Sequence, residues 1–465
     1  MNPVDLLIVG AGPAGMAAAV TARRAGLEVL VLDEQPAPGG QIWRGIETVA
    51  ASKQADILGA SYLEGRPAAE AFRASGARYE PDSQLWQIEP GFRAFMTKAG
   101  KAQMFEARTV LLATGAQERP APFRGWTLPG ILTVGAGQIL LKNAGQVPAR
   151  PVWLAGSGPL TLLYMTQLLK AGGKIAGYLD TTPPGRLSSA LRHLPGALRA
   201  AGDLAKGVGW QLGLRASGIR PIRHVTDIEA LGTDRLEAIR YRTASGQEAM
   251  VQAEMLLVHE GVIPNVHAAL ALGCAMNWRD DQDCYVPVLD SWGETSEANV
   301  FIAGDGAGIA GAKAAALRGE IAALGIAAKL GRLTEEAAEE TAKPARRKLS
   351  RELALRPFLD ALFRPREAIF IPADETIVCR CEEITARDIR AMAKLGRPGP
   401  NQVKAFTRVG MGPCQGRQCG YTVTRILAAA EGRPAGDVGF YRVRPPLKPV
   451  TLGELASLRE PETTP

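Results

Sequence analysis

The sequence predicts an α/β protein with two successive dinucleotide-type folds and a small cysteine-bearing module behind them. Three observations carry the prediction. A short apolar run at residues 4–9 ends in a glycine-rich turn that opens an alanine-rich helix, the same pattern recurs 146 residues later, and four of the six cysteines form two tight pairs towards the C-terminal end. A chain of 465 residues is long enough for roughly three domains. Its 46% hydrophobic and 22% charged residues exclude disorder or a collagen-like repeat as a description of the whole. The 52 glycines are an excess that suits turns where backbone approaches phosphate.

Residues 1–150 are expected to form a first nucleotide-binding domain. Its opening strand closes on Gly10, Gly12, Pro13, Ala14 and Gly15. Glycines at the first, third and sixth positions of such a turn bare backbone N–H groups and let a pyrophosphate sit against the helix dipole. A second strand at residues 29–32 leads to Asp33 and Glu34, 18 and 19 residues after Gly15, where a carboxylate can accept ribose hydroxyls. Gly40 and Gln41 follow, and an apolar strand at residues 110–112 closes on Thr114 and Gly115.

Residues 151–265 repeat the pattern with Gly156 and Gly158, but Thr161 stands where the third glycine is due. A Cβ there crowds helix against strand, so this second dinucleotide fold reads as degenerate. Residues 266–330 read as a return segment of the first domain, with a strand ending at Gly304 and Asp305 before an alanine-rich helix. Residues 331–370, charged and containing Pro344, read as a helical surface linker, and residues 371–430 as the small third module. The tail, 431–465, is too irregular for a domain and able to strap across the others.

The net charge is +7, and residues 331–465 carry +6 of it. No Lys/Arg run is interleaved with aromatics, which argues against nucleic acid and for an anionic cofactor or partner. The absence of any 18-residue apolar stretch or basic secretory start predicts no transmembrane segment and a cytoplasmic protein, with membrane association only through an electron acceptor.

Cys379 and Cys381, then Cys414 and Cys419, give Cys-x-Cys, 32 residues and Cys-x4-Cys. Four thiolates can hold zinc, or iron and sulfide, and spacing alone does not choose. Gly410, Gly412, Gly416 and Gly420 free N–H groups for sulfur, and Lys404, Arg408 and Arg417 can offset a dianionic cluster, which favours 2Fe-2S. Thr385 with Asp388 reads as a capping box shortly after Cys381. Cys274 and Cys284 have no partner pattern and read as inert buried thiols. His193, His224, His259 and His267 stand apart from one another and read as ordinary histidines, so no catalytic residue identifies itself.

The string 33–41, the turn at 113–115 and Gly304-Asp305 resemble the FAD-dependent family with two dinucleotide domains typified by glutathione reductase. That resemblance implies FAD in the first fold, with Asp305 near the ribityl or pyrophosphate. No Cys-x-x-Cys or Cys-x4-Cys lies near the first fold, so the redox disulfide of that family is missing. The cysteine module resembles the bacterioferritin-associated ferredoxin domain with its 2Fe-2S cluster, although the second pair there is commonly Cys-x2-Cys. Together with residues 127–130 and 412–416, the whole arrangement resembles the FAD and iron-sulfur subunits of hetero-oligomeric dye-linked dehydrogenases for opines or D-hydroxyproline, and the equivalent subunit of hydrogen cyanide synthase. The resemblance implies a partner flavoprotein subunit of amino-acid oxidase type that oxidises the C–N bond, room for a third small subunit, and a dye, quinone or other acceptor. Two rival readings stay open: a self-contained NAD(P)H-dependent reductase, and a non-enzymatic binding module that docks through the cysteine domain.

Overall fold

The computed structural model describes residues 3–49, 52, 54–396 and 398–458. The outer ends of the first domain and of the tail, residues 1–2 and 459–465, therefore lie outside the described residues. Strand β1 (Val4–Val9), helix α1 (Pro13–Arg24) and strand β2 (Val29–Leu32) form the expected opening unit. Apart from Asp5, both strands are apolar throughout, because the sheet is covered on both faces. The parallel order is β3 (Arg78–Glu80), β2, β1, β6 (Lys101–Leu112) and Val300–Ile302. The twelve-residue β6 also serves a second sheet: its first half pairs antiparallel with β5 (Arg93–Lys98), which pairs with β4 (Gln84–Ile88).

The second fold copies this layout. Pro221–Ile222, Ile175–Asp180, Val152–Ser157, Leu256–Glu260 and Ile131–Thr133 form a parallel sheet, and Val225–Leu231, Ala238–Thr243 and Glu248–Gln252 an antiparallel one beside it. Ala116–Glu118 and Val262–Pro264 pair antiparallel where the chain crosses between the folds. The return segment comes back as Val300–Ile302 and helix Ala312–Lys329. That helix lies against α1 so closely that a Cβ on Gly319 would overlap the Ala14 carbonyl.

Helix Glu335–Leu353, capped by the Thr334 side chain, accommodates Pro344 and buries Ala338, Ala342 and Ala345 while its charged residues face solvent. The cysteine module holds the short pair Ile377–Cys379 and Ile384–Thr385 and helices Ala386–Ala393, Pro400–Thr407 and Gly420–Glu431 around Val378, Ile389, Val403, Val423 and Ile426. Thr385 and Asp388 form a reciprocal capping box. The tail runs back across the first fold: Val443 and Leu447 enter its core beside Leu85 and Ile88, and the Leu447 N–H donates to the Trp86 carbonyl at 2.7 Å.

Candidate functional site

The first fold gathers most of its expected residues around one crevice at the C-terminal ends of β1 and β6. Gly10 adopts φ +106°, and a Cβ on it would lie 2.5 Å from the Ala113 carbonyl oxygen, so the glycine turn sits directly on the strand end that leads to Thr114 and Gly115. A Cβ on Gly15 would overlap the Gly10 carbonyl oxygen. Gly12 differs, because a Cβ there would meet nothing nearer than the Gly40 Cα at 3.8 Å. The Gly39 N–H donates to the Ala11 carbonyl at 2.9 Å, which brings Gly40 over the turn, and Pro13 and Ala14 begin α1 behind it. A Cβ on Gly306 would lie 3.6 Å from both the Gly115 carbonyl oxygen and Thr114 Oγ1, so the segment of Gly304 and Asp305 closes the same crevice.

The carboxylates divide their work. Asp33 is buried, accepts from the Ala11 N–H through Oδ2 and from the Gln35 N–H at 2.7 Å through Oδ1, and so ties the glycine turn to the end of β2. Burial raises its pKa, against the pull of those two N–H groups. Glu34 turns outward and pairs with Lys448 of the tail at 2.9 Å. Asp305 spends one oxygen on its own loop, accepting from the Ala310 and Gly311 N–H groups at 2.9 and 3.0 Å. Gln41 is exposed, with its side chain accepting from Arg44 at 3.0 Å. Its carbonyl and that of Ile42 accept from the buried Lys142 ammonium at 2.9 and 3.0 Å, and burial pulls that amine down to about 7. Lys142 thus fixes the Gly40-Gln41 loop from beneath, a role no local sequence signal reveals.

In the second fold Gly156 (φ +144°) and Gly158 (φ +104°) hold the turn, and Pro159 starts the helix. Thr161 is fully buried there, its hydroxyl without a partner among the described residues. Under this turn the His259 ring lies 2.7 Å from Glu118, whose carboxylate also accepts the Gly135 N–H at 2.9 Å. The two residues are 141 apart in sequence, so the pair is invisible until the crossover strands meet. His224 is exposed on a loop, His193 stands at a helix start, and His267 is buried with neither ring nitrogen hydrogen-bonded among the described residues.

The fold brings the four expected cysteines together in two couples. Cys419 donates towards Cys379, and that bond, with the Gly410 N–H 3.5 Å from the Cys379 sulfur, lowers the Cys379 thiol to about 6 against the effect of burial. The same bond, with burial, pushes Cys419 up. Cys381 meets Cys414, and burial raises its pKa. A Cβ on Gly412 would strike the Cys381 side chain, so the second loop lies directly on the first. Among the described residues no three His, Cys, Asp or Glu side chains converge on one point. Four thiols meeting two by two, with a backbone N–H turned to sulfur, fit a group that takes thiolates across two metal centres. Arg408 is engaged with Glu382 at 2.8 Å, while Arg417 donates to the Cys414 and Leu447 carbonyls and Lys404 lies over the Tyr441 ring. Cys274 and Cys284 are buried and free, and burial raises both thiols.

The chain is 45% identical over 464 residues to the A-type subunit of opine oxidase from Rhizobium meliloti, covering 99% of this chain and 100% of that one. It belongs to the family of opine oxidase A-type subunits. The pyridine nucleotide-disulphide oxidoreductase model matches residues 4–322, and the sarcosine oxidase A3 domain model matches residues 373–459. Hydrogen cyanide synthase subunit HcnB of Pseudomonas protegens is 32% identical, with 97% of this chain and 96% of that one covered. L-proline dehydrogenase from P. horikoshii shares the fold over 98% of this chain and 79% of its own, with a TM-score of 0.72 at 19% identity. As a member of the opine oxidase family, the chain is an FAD-dependent oxidoreductase subunit. No helix among the described residues is long and apolar enough to cross a membrane.

Proposed function

We propose that this chain is the electron-transfer subunit of a multi-subunit dye-linked dehydrogenase, carrying FAD in its first fold and a 2Fe-2S cluster on Cys379, Cys381, Cys414 and Cys419. The C–N bond of an opine, D-hydroxyproline or related amino acid is oxidised on a partner flavoprotein subunit. The observation that carries the reading is the meeting of four cysteines in two couples within a chain that aligns end to end with its opine oxidase relative. When bound, FAD supplies acceptance of an electron pair and the cluster supplies one-electron transfer.

The residues of the first fold have legible tasks. Gly12, Ala14 and Gly15 offer backbone N–H groups and the α1 N-terminus to a pyrophosphate, while Pro13, which has no N–H, opens the helix, and Gly10, whose N–H is spent on the Leu32 carbonyl, shapes the turn. Gly40, Gln41, Thr114, Gly115, Gly304 and Asp305 enclose the rest of the dinucleotide, and Asp33 and Glu34 stand at the ribose end. Gly156 and Gly158 leave the second fold able to hold a phosphate, while Thr161 at its third glycine position disfavours a nicotinamide dinucleotide. The division expected from sequence, with the first domain interrupted by the second and the cysteine module following a helical linker, belongs to the same proposal.

The test is a dye-reduction assay with a panel of opines, D-hydroxyproline and glycine, run on the isolated chain and on the complex co-purified from its native operon. Activity is expected only in the complex. Amine oxidation by the isolated chain, or complete flavin bleaching by NADH or NADPH within seconds, would overturn the reading in favour of a self-contained enzyme.

A further inference from the structure

We infer that Tyr441, from the tail, is a positioning residue for the cysteine-held cluster: its hydroxyl hydrogen-bonds the Cys419 sulfur and its ring seals the buried edge of the site, so that it sets the reduction potential. The inference rests on the cluster proposed above. Tyr441 is 2% exposed, and its hydroxyl lies 3.9 Å from Cys419 Sγ, within reach of an O–H to sulfur bond. Two glycines of the cysteine loop are shaped around its ring. A Cβ on Gly410 would lie 2.6 Å from the ring, and one on Gly416 would lie 2.5 Å from it. Both glycines also hold positive φ, +80° and +82°, so backbone and side-chain demands coincide at the two points where the loop meets the tyrosine. On its other side the ring packs edge-on against Phe440, centroids 5.7 Å apart, and receives the Lys404 ammonium at 5.7 Å.

The site is consequently asymmetric. Cys379 and Cys419 are sealed, at 1% and 0% exposure, whereas Cys381 is exposed and Cys414 half-buried. A hydrogen bond to a ligating sulfur favours the more negative, reduced state, and exclusion of water acts on the same balance. Tyr441→Phe keeps the ring and the seal and removes only the O–H, so the two effects separate. The phenol has no other hydrogen-bond partner among the described residues, which makes the O–H to sulfur contact the one thing the substitution deletes.

The experiment compares wild type and Tyr441→Phe as full chains. Iron and acid-labile sulfide are counted, the melting temperature is recorded, and the midpoint potential is read from a dye-mediated titration followed by the electron paramagnetic resonance of the reduced cluster. The expected result is a full complement of iron and sulfide with an unchanged melting temperature and a potential shifted downward. An unchanged potential in a loaded variant overturns the inference. So does a variant that cannot be loaded, because the hydroxyl would then serve assembly instead of tuning. Wild type lacking iron and sulfide, or holding zinc in stoichiometric amount, would instead remove the cluster proposal itself and this inference with it.

Discussion

Gly12 and Gly15 share one turn but are glycine for different reasons. A Cβ on Gly15 collides with the protein's own Gly10 carbonyl, whereas a Cβ on Gly12 meets only open space and the Gly40 Cα at 3.8 Å. The first is a requirement of helix-on-strand packing and the second a requirement of whatever approaches the turn. Gly12→Val is therefore expected to fold, with a far-ultraviolet spectrum like wild type, yet to purify without yellow colour. Gly15→Ala should lose both colour and stability. A yellow Gly12→Val protein with stoichiometric flavin would show that the dinucleotide lies elsewhere.

His267 illustrates the same logic for charge. Burial, with the Arg417 guanidinium nearby, pulls its pKa down to about 3, and the Gln415 backbone approaches the ring without meeting hydrogen-bond geometry. The unfolded chain takes up a proton near pH 6.5 that the folded chain refuses, so stability is complete above that pH and is lost as pH falls towards 3. Between pH 6.5 and pH 5 the cost is about 2 kcal/mol at 1.36 kcal/mol per pH unit. Denaturant unfolding at pH 7.5 and pH 5 should show this difference in wild type and a smaller one in His267→Gln. Equal pH slopes in the two proteins would refute the assignment.

Among the elements, the tail does more than its irregular sequence suggests. Leu447 is 6% exposed and sits in the core of the first fold, the Gln84 amide donates to the Pro449 carbonyl at 3.1 Å, and Lys448 reaches Glu34. Leu447→Ala should cost about 2–4 kcal/mol, as other buried leucine truncations do. Chemical denaturation of the full chain checks it, and a change under about 0.5 kcal/mol, ordinary for a surface site, would mean the strap is loose.

This contrast marks what was legible in the sequence. The glycine turns and the capping box depend on spacing within a few residues, and each appears where spacing puts it, whereas the cysteines couple across the two sequence pairs, Cys379 with Cys419 and Cys381 with Cys414. The His259–Glu118 pair, the Lys142 prop under Gln41 and the Tyr441 contact join residues far apart in the chain, and no local pattern encodes such meetings. The helix expected as a surface linker shows a subtler gap. Its charge density announced solvent, but Ala338, Ala342 and Ala345, spaced three and four apart, form a narrow buried stripe that is small enough to read as polar-helix filler.

At the scale of the molecule, the two proposed redox sites stand on separate cores joined by specific ties. The cysteine module packs on its own residues, Val378 to Val438, while α1 and its sheet pack on another set. An aromatic cluster, Tyr421 and Phe440 with Trp278 and Tyr285, joins the two, and a concentrated set of polar ties stands beside it. Asp283, 1% exposed, binds Arg364 of the linker and Arg425 of the helix that follows Cys419, while Arg119 from the crossover strand region donates to its carbonyl at 2.8 Å. The Gln117 amide donates to the Arg417 carbonyl at 3.1 Å, and the Trp126 indole to the Ile377 carbonyl at 2.7 Å, so the segment carrying each cysteine pair is held to the FAD-type fold by a side chain of that fold. Such an arrangement separates the loading of one site from the folding of the other. Cys414 is the natural place to test it, being half-buried and therefore able to accept the slightly smaller, more polar serine without opening a cavity. Cys414→Ser is expected to lose most of its iron and sulfide while keeping FAD at wild-type stoichiometry, read by metal analysis and by the flavin released on denaturation. Loss of flavin together with iron would mean that the Asp283 and Gln117 ties transmit the state of the cysteine loop into the first fold, and that the two sites assemble as one.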